Sequence, residues 1–109
     1  MRIADFDLII SSGHLSLVDF YSTWCGACRA IDPALDRLIP VMGDMVTVVR
    51  VDIDEPDTRA LVRRYNIVSV PTLILFLHGE QLWRNSGVLT YEHLSSVMRR
   101  YGKIGRCVR

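Results

Sequence analysis

Two cysteines three positions apart, Cys25 and Cys28, stand where one hydrophobic pattern gives way to another. Before them, Leu15 to Tyr21 reads as a strand. After them, Ala27 to about Met42 has helical spacing, with Ile31, Leu35, Leu38 and Ile39 on one predicted apolar face. Cys25-Gly26-Ala27-Cys28 therefore closes a strand and opens a helix, so the chain must build a strand–turn–helix unit with paired sulfurs at its turn. Pro33 is expected to kink that helix, because it deletes an i→i−4 hydrogen bond, and Gly43 to end it.

The remaining segments follow from the same signals. Asp5 to Ser12 reads as a short helix stopped at Gly13. Val46 to Ile53 is a β-branched run, hence a strand. Asp57 to Tyr65 reads as a helix with Leu61, Val62 and Tyr65 on its apolar side. Thr72 to Leu77 is an almost unbroken apolar run, as expected of a strand buried on both faces. His78-Gly79-Glu80 is a tight turn into a last strand, Gln81 to Arg84. Thr90 is a good N-cap for a final helix from Tyr91 to Tyr101, ended at Gly102. The first half alternates strand and helix, so its strands are expected to run parallel through right-handed crossovers, and the last two strands form a hairpin. The fold class is α/β, a mixed central sheet with helices on both faces, in a single domain over residues 1–109.

The paired cysteines suit disulfide exchange. The thiolate is the nucleophile in that chemistry, and a free cysteine, with a pKa of about 8.5, is mostly protonated at neutral pH. A helix N-terminus, with its unpaired N–H groups and positive dipole end, favours the anion, and Cys25 sits there. Cys28, one turn further in, can close a disulfide with it, and Gly26 keeps the approach open to a bulky substrate. The competing reading is half of a zinc site, since C-x-x-C is also a metal knuckle. Cys107, His14, His78 and His93 are available as further ligands, but no second paired motif exists, and the preferred reading has no metal.

Two other residues stand out. Asp19 lies inside an apolar strand, where an unpaired carboxylate is costly and burial raises its pKa. It is either a structural residue satisfied by local hydrogen bonds or a general base that takes the Cys28 proton. Val70-Pro71-Thr72 comes just before a central strand, where proline is poorly tolerated. A cis peptide there reconciles the two and frees the Val70 backbone to pair with an extended substrate peptide; the competing reading is a rigid trans turn.

Composition narrows the function classes. The chain has 109 residues, half of them apolar, and a formal net charge of +1, so the total points to neither nucleic acid nor anionic lipid. The segment from Arg99 to Arg109 carries five cations and no acid, read as cations near a helix C-terminus. The opening residues carry acids where a signal peptide is apolar, and no run is long enough for a membrane span, so the expected location is the cytoplasm. Three cysteines are an odd count for a secreted disulfide framework and suit a reducing compartment.

Taken together, these residues resemble the thioredoxin family over nearly the whole chain. Val18-Asp19-Phe20-Tyr21-Ser22-Thr23-Trp24-Cys25-Gly26-Ala27-Cys28-Arg29 is similar to its active-site segment, Pro33 to the proline that bends the active-site helix, Val51-Asp52-Ile53-Asp54 to its strand-end motif, and Val70-Pro71-Thr72 to its cis-proline segment. Leu75-Phe76, Gly79 and Gly87 fit the closing hairpin and the glycine near the substrate groove. The resemblance implies that Cys25 attacks, Cys28 resolves and Asp19 is the buried acid. It implies a groove lined by Trp24, Gly26, Ala27, Val70, Pro71, Gly87 and Val88. It further implies a protein disulfide reductase with no bound cofactor, supplied with NADPH electrons by a thioredoxin reductase and acting on disulfide-containing target proteins. An oxidase or isomerase and a non-catalytic binding module are the alternatives, and a monomer is the default.

The departures from the family pattern carry expectations of their own. Ala27 replaces the usual proline between the glycine and the second cysteine, and in the family that position tunes the redox potential. Arg50 stands where a lysine near the buried acid is usual and, as a permanent cation, is expected to hold Asp19 ionised and weaken it as a base. Tyr21 replaces a common tryptophan. Too few residues precede Leu15 for both a helix and the usual first strand, so a four-stranded sheet is expected. Trp24 reads as a contact residue, Trp83 as packing, the histidines as solvated and Cys107 as a spare thiol.

Overall fold

A computed structural model describes residues 1–107, with side chains as far as residue 102. The elements are α1 (Ile3–Ile10), β1 (Leu15–Tyr21), α2 (Gly26–Met42), β2 (Val46–Asp52), a 3₁₀ turn (Pro56–Thr58) leading into α3 (Arg59–Arg64), β3 (Thr72–Leu77), β4 (Glu80–Ser86) and α4 (Tyr91–Cys107). The sheet order is β2-β1-β3-β4, with β1–β2 parallel and the other two pairs antiparallel. This is the mixed four-stranded α/β sheet expected, and no strand precedes β1 among the described residues.

The two central strands divide their side chains between two cores. Leu15 and Leu17 of β1 and Leu73, Leu75 and Leu77 of β3 pack with Ile31, Leu35, Leu38 and Met42 of α2 and Leu94, Val97 and Met98 of α4. Val18, Phe20, Ile74 and Phe76 face the other way, onto Phe6 and Ile10 of α1 and Leu61 of α3. The period-two alternation of a strand thus feeds helices on both faces. Trp83 packs against the first core, as expected. Asp19 points to the same face as Leu15 and Leu17, under α2, because it is two and four residues from them.

Several boundaries differ from the sequence reading, each for a local reason. α4 continues through Gly102, where a Cβ would run into the Met45 side chain; this glycine permits a close approach and is not a stop. The helix expected at Asp57 to Tyr65 begins as a 3₁₀ turn because the Thr58 hydroxyl donates to the carbonyls of Asp52 (2.6 Å) and Glu55 (2.9 Å) and tightens it. His78 and Gly79 alone make the β3–β4 turn, both at positive φ (52° and 81°), so β4 starts at Glu80. α1 lies two residues earlier than expected, at Ile3–Ile10, its burial resting on Phe6 and Ile10. Ile39, expected on the apolar face of α2, is 48% exposed, since Leu35, Leu38 and Met42 already fill the contact with the sheet.

The direction of β3 matters most for function. A helix precedes it, yet it runs antiparallel to β1. α3 has six residues, about 9 Å at 1.5 Å each, too short to carry the chain to the far end of the sheet. β3 therefore starts at the end of the sheet where β1 and β2 finish, and the Val70-Pro71 segment arrives beside the Cys25–Cys28 turn.

Candidate active site

Cys25 is the N-cap of α2. Its backbone is extended (φ −91°, ψ 114°), and its sulfur accepts the Cys28 N–H at 3.1 Å. A side chain that satisfies an orphan N–H of the first turn is what an N-cap requires, and here a sulfur does it in place of the usual oxygen. The same sulfur, as a thiol, donates to the Val70 carbonyl at 3.5 Å. Both cysteines are free thiols, buried at 7% and 3% exposure, while Gly26 and Ala27 between them are exposed. Cys28 faces inward, and burial, with the Cys25 side chain second, pushes its thiol up to about 12. It needs a base before it can act as a nucleophile.

Asp19 lines a cavity of about 280 Å³ together with Cys28, Ser22, Asp32 and Arg50. The residue is 1% exposed, and its Oδ1 and the Ser22 hydroxyl are buried with no hydrogen-bond partner. Burial raises its pKa to about 6; Arg50 opposes this and Asp32 adds to it. Arg50 does favour the ionised form, but burial outweighs it. Arg50 is the register partner of Asp19 on β2, but its guanidinium turns to α2, 2.9 Å from Asp36 Oδ1 and 3.8 Å from Asp32 Oδ1. Desolvation wins over a guanidinium that is engaged elsewhere.

Of the other residues singled out in the sequence, Val70 meets the Cys25 sulfur. The Val70–Pro71 peptide bond is cis, and the Pro71 carbonyl accepts the N–H of Gly87 at 2.9 Å. Gly87 itself has φ +106°, a conformation that glycine adopts without strain. Trp24 is 69% exposed and Val88 49%. Val68, Asp32 and Asp36 were not picked out in the sequence, and Asp54 was read only as part of the strand-end motif. Val68, two residues before Val70, is 83% exposed. Asp54 accepts the Trp24 indole N–H at 2.9 Å, and its own N–H donates to Asp52 Oδ1 at 2.9 Å. Asp32 and Asp36 lie one and two turns beyond Cys28; that i, i+4, i+8 spacing was the signal that places all three on one stripe of the helix.

The other features lie apart from this end. A cleft of about 480 Å³, lined by Gly13, His14, Met45 and Arg99 among others, sits at the opposite end of β1 and holds no cysteine among its described residues. His78 and His93 are exposed, while His14 is half-buried, so the reading of all three as solvated holds for two. Among the described residues no group of three or more His, Cys, Asp or Glu is placed to hold a metal ion. The Cys107 side chain and the cations beyond Gly102 lie outside the described side chains. No described helix is long and apolar enough to cross a membrane.

Comparison with known proteins gives a consistent result. The family model described as Thioredoxin matches residues 1–100. A Staphylococcus epidermidis thioredoxin is 38% identical over 99 residues, 90% of this chain and 91% of that protein. Among solved structures, an Arabidopsis thaliana thioredoxin in its oxidized state superposes with a TM-score of 0.75 at 32% identity, covering 91% of this chain and 88% of that one. A Malassezia sympodialis thioredoxin gives a TM-score of 0.83 at 22% identity, over 93% and 86% of the two chains, a likeness of fold.

Proposed function

The chain belongs to the thioredoxin family, and on that premise we propose that it is a protein disulfide reductase in which Cys25 attacks and Cys28 resolves. The observation that carries the reading is the Cys25 sulfur itself, held at the N-terminus of α2 by the Cys28 N–H, with Cys28 one turn behind it. A hydrogen bond from a backbone N–H and the positive end of a helix both stabilise an anionic sulfur.

The steps follow from that arrangement. The Cys25 thiolate attacks one sulfur of a target disulfide; a Cys25–target disulfide forms, and the other target sulfur leaves as a thiolate. Cys28 then loses its proton to the Asp19 carboxylate across the shared cavity and attacks the Cys25 sulfur. The Cys25–Cys28 bond forms, the Cys25–target bond breaks, and the second target sulfur leaves, taking a proton from Asp19 or solvent. Two electrons have passed from the cysteine pair to the target.

The target peptide is proposed to lie along Trp24, Gly26, Ala27, Val70, Pro71, Gly87 and Val88. Cys25 donates its S–H to the Val70 carbonyl, so ionisation of Cys25 releases that carbonyl to accept an N–H from an extended peptide. Exposed Trp24 and Val88 favour apolar target side chains. The proposed electron source is a thioredoxin reductase using NADPH, with nothing bound to this chain, acting on a monomer in the cytoplasm.

The test is reduction of a disulfide-containing protein with dithiothreitol as electron donor. Cys25→Ser is expected to abolish turnover, and Cys28→Ser to accumulate a mixed disulfide at Cys25 visible by mass spectrometry. An equilibrium potential near the thioredoxin figure of about −270 mV, measured with Cys107→Ser, supports the reductase reading. A value near the −120 mV of strong oxidants would overturn the reductase reading in favour of an oxidase. Turnover that survives loss of both cysteines would overturn it altogether.

A further inference from the structure

Arg50 is not where its charge draws it. It sits directly beside Asp19 in the β1–β2 register and on the same face of the sheet, and both line one cavity. An arginine is permanently charged and carries five donors, and Asp19 offers a buried oxygen with no partner. The guanidinium nonetheless lies on Asp36 and Asp32, two carboxylates of α2 that are 67% and 40% exposed. A charged pair held in solvent needs less desolvation than one drawn to a carboxyl that is 1% exposed, and two acids outweigh one.

We propose that Asp32 and Asp36 are positioning residues: they hold Arg50 at the mouth of the cavity, away from Asp19, and so leave the buried carboxyl free to take the Cys28 proton and give it up again. This rests on the disulfide-reductase reading, in which Cys28 must be deprotonated. Were Arg50 to turn inward, Asp19 would be locked as the anion of an ion pair and would be a poorer base. The groups that face Asp19 are Cys28, Arg29 and Asp32 of α2, Arg50 of β2 and Tyr21 of its own strand, while its β3 partner, Leu73, is uncharged. Burial is the largest influence on its proton affinity, and Arg50, the second, acts in the lowering direction.

The experiment uses the full chain with Asp32→Asn and Asp36→Asn combined, both partly exposed positions that leave the core intact. Two quantities are read: the Asp19 carboxyl titration by NMR on carbon-13-labelled protein, and the single-turnover release of a chromogenic aromatic thiol from its mixed disulfide with Cys25. The titration midpoint is expected to fall by about 1 unit or more as Arg50 moves onto Asp19. Thiol release at pH 7 is expected to slow about tenfold or more. Adding Arg50→Gln is expected to recover most of both losses, the remainder being the direct effect of losing the Asp32 charge beside Asp19. An unchanged midpoint in the double variant overturns the proposal. So does a fall that persists undiminished with Arg50→Gln, because the two acids would then act only through their own charge. A wild-type protein that releases no thiol overturns the reductase reading instead, and the carboxyl titration still reports where Arg50 sits.

Discussion

At the scale of single residues, the chemistry of this protein is set by what burial does to two acids. The Cys28 thiol and the Asp19 carboxyl share a cavity, and desolvation is the largest influence on both, raising the first to about 12 and the second to about 6. A base near neutrality beside a reluctant acid is a working pair at physiological pH. The arrangement also costs stability, with a definite sign. In the folded chain Asp19 binds its proton more tightly than its ordinary value of 3.8 allows. The contribution of Asp19 to stability is therefore greatest below about pH 4, falls as pH rises from about 4 to about 6, and is flat above that. A shift of about two units corresponds to about 3 kcal/mol at pH 7. Asp19→Asn is accordingly expected to raise stability at pH 7 by about 1–3 kcal/mol, less than the full amount because a buried amide has needs of its own. Urea unfolding at pH 7 and at pH 3.5 checks it: a gain that is the same at both pH values would show that the carboxyl does not titrate as described. The same variant is expected to slow mixed-disulfide resolution by about 100-fold or more.

At the scale of elements, the fold rests on two helices that contribute no residue to the cysteine site. α1 is short, with no side-chain cap and no cation in its last turn, so packing rather than propensity holds it. Its anchor is Phe6, fully buried, with its ring edge-on to Phe76 (centroids 6.0 Å apart) and tilted against Tyr65 (5.9 Å). Phe6→Ala is expected to lower stability by about 3–5 kcal/mol, measured by denaturant unfolding, with the rate at which Cys25 is alkylated in the folded protein unchanged. α3 matters through its length: six residues return the chain to the end of the sheet where it left, and the Val70 carbonyl reaches Cys25. A helix long enough to span the sheet would have made β3 parallel and placed Pro71 at the far end.

At the scale of the whole molecule, the sheet ends on β2, a seven-residue, valine-rich strand with no partner on its outer side among the described residues. The other edge, β4, carries Glu80, Gln81, Arg84 and Asn85 and is protected by polarity. An apolar edge strand is a template for pairing with other chains, above all in partly unfolded molecules. Thr47 is exposed on β2, so Thr47→Lys is expected to change stability by no more than about 0.5 kcal/mol while delaying heat-induced aggregation, followed by light scattering. An equal aggregation onset in the two proteins would show that the edge is not where association starts.

These scales also separate what a linear reading captures from what it does not. The strand at Leu15–Tyr21, the helix that follows the cysteines, the apolar Thr72–Leu77 run and the place of Cys25 at a helix start were all legible, and so was the four-stranded sheet. Each is a local matter: period two or 3.6, a cap or a turn residue. Features that depend on a distant segment were not legible. Gly102 reads as a helix stop because nothing in the sequence near it mentions Met45. β3 reads as part of an alternating pattern until the length of α3 decides its direction. Arg50 reads as the partner of Asp19 because it stands where the family places a lysine near the buried acid, but α2 brings Asp32 and Asp36 over the same strand. By itself, then, the sequence determined the order of the elements and put two sulfurs one turn apart at a helix N-terminus, because periodicity and spacing act along the chain. Tertiary structure alone decided that Val70 sits beside Cys25, that Arg50 turns away from Asp19 and that Asp19 keeps its proton to about pH 6, because desolvation and charge act through space.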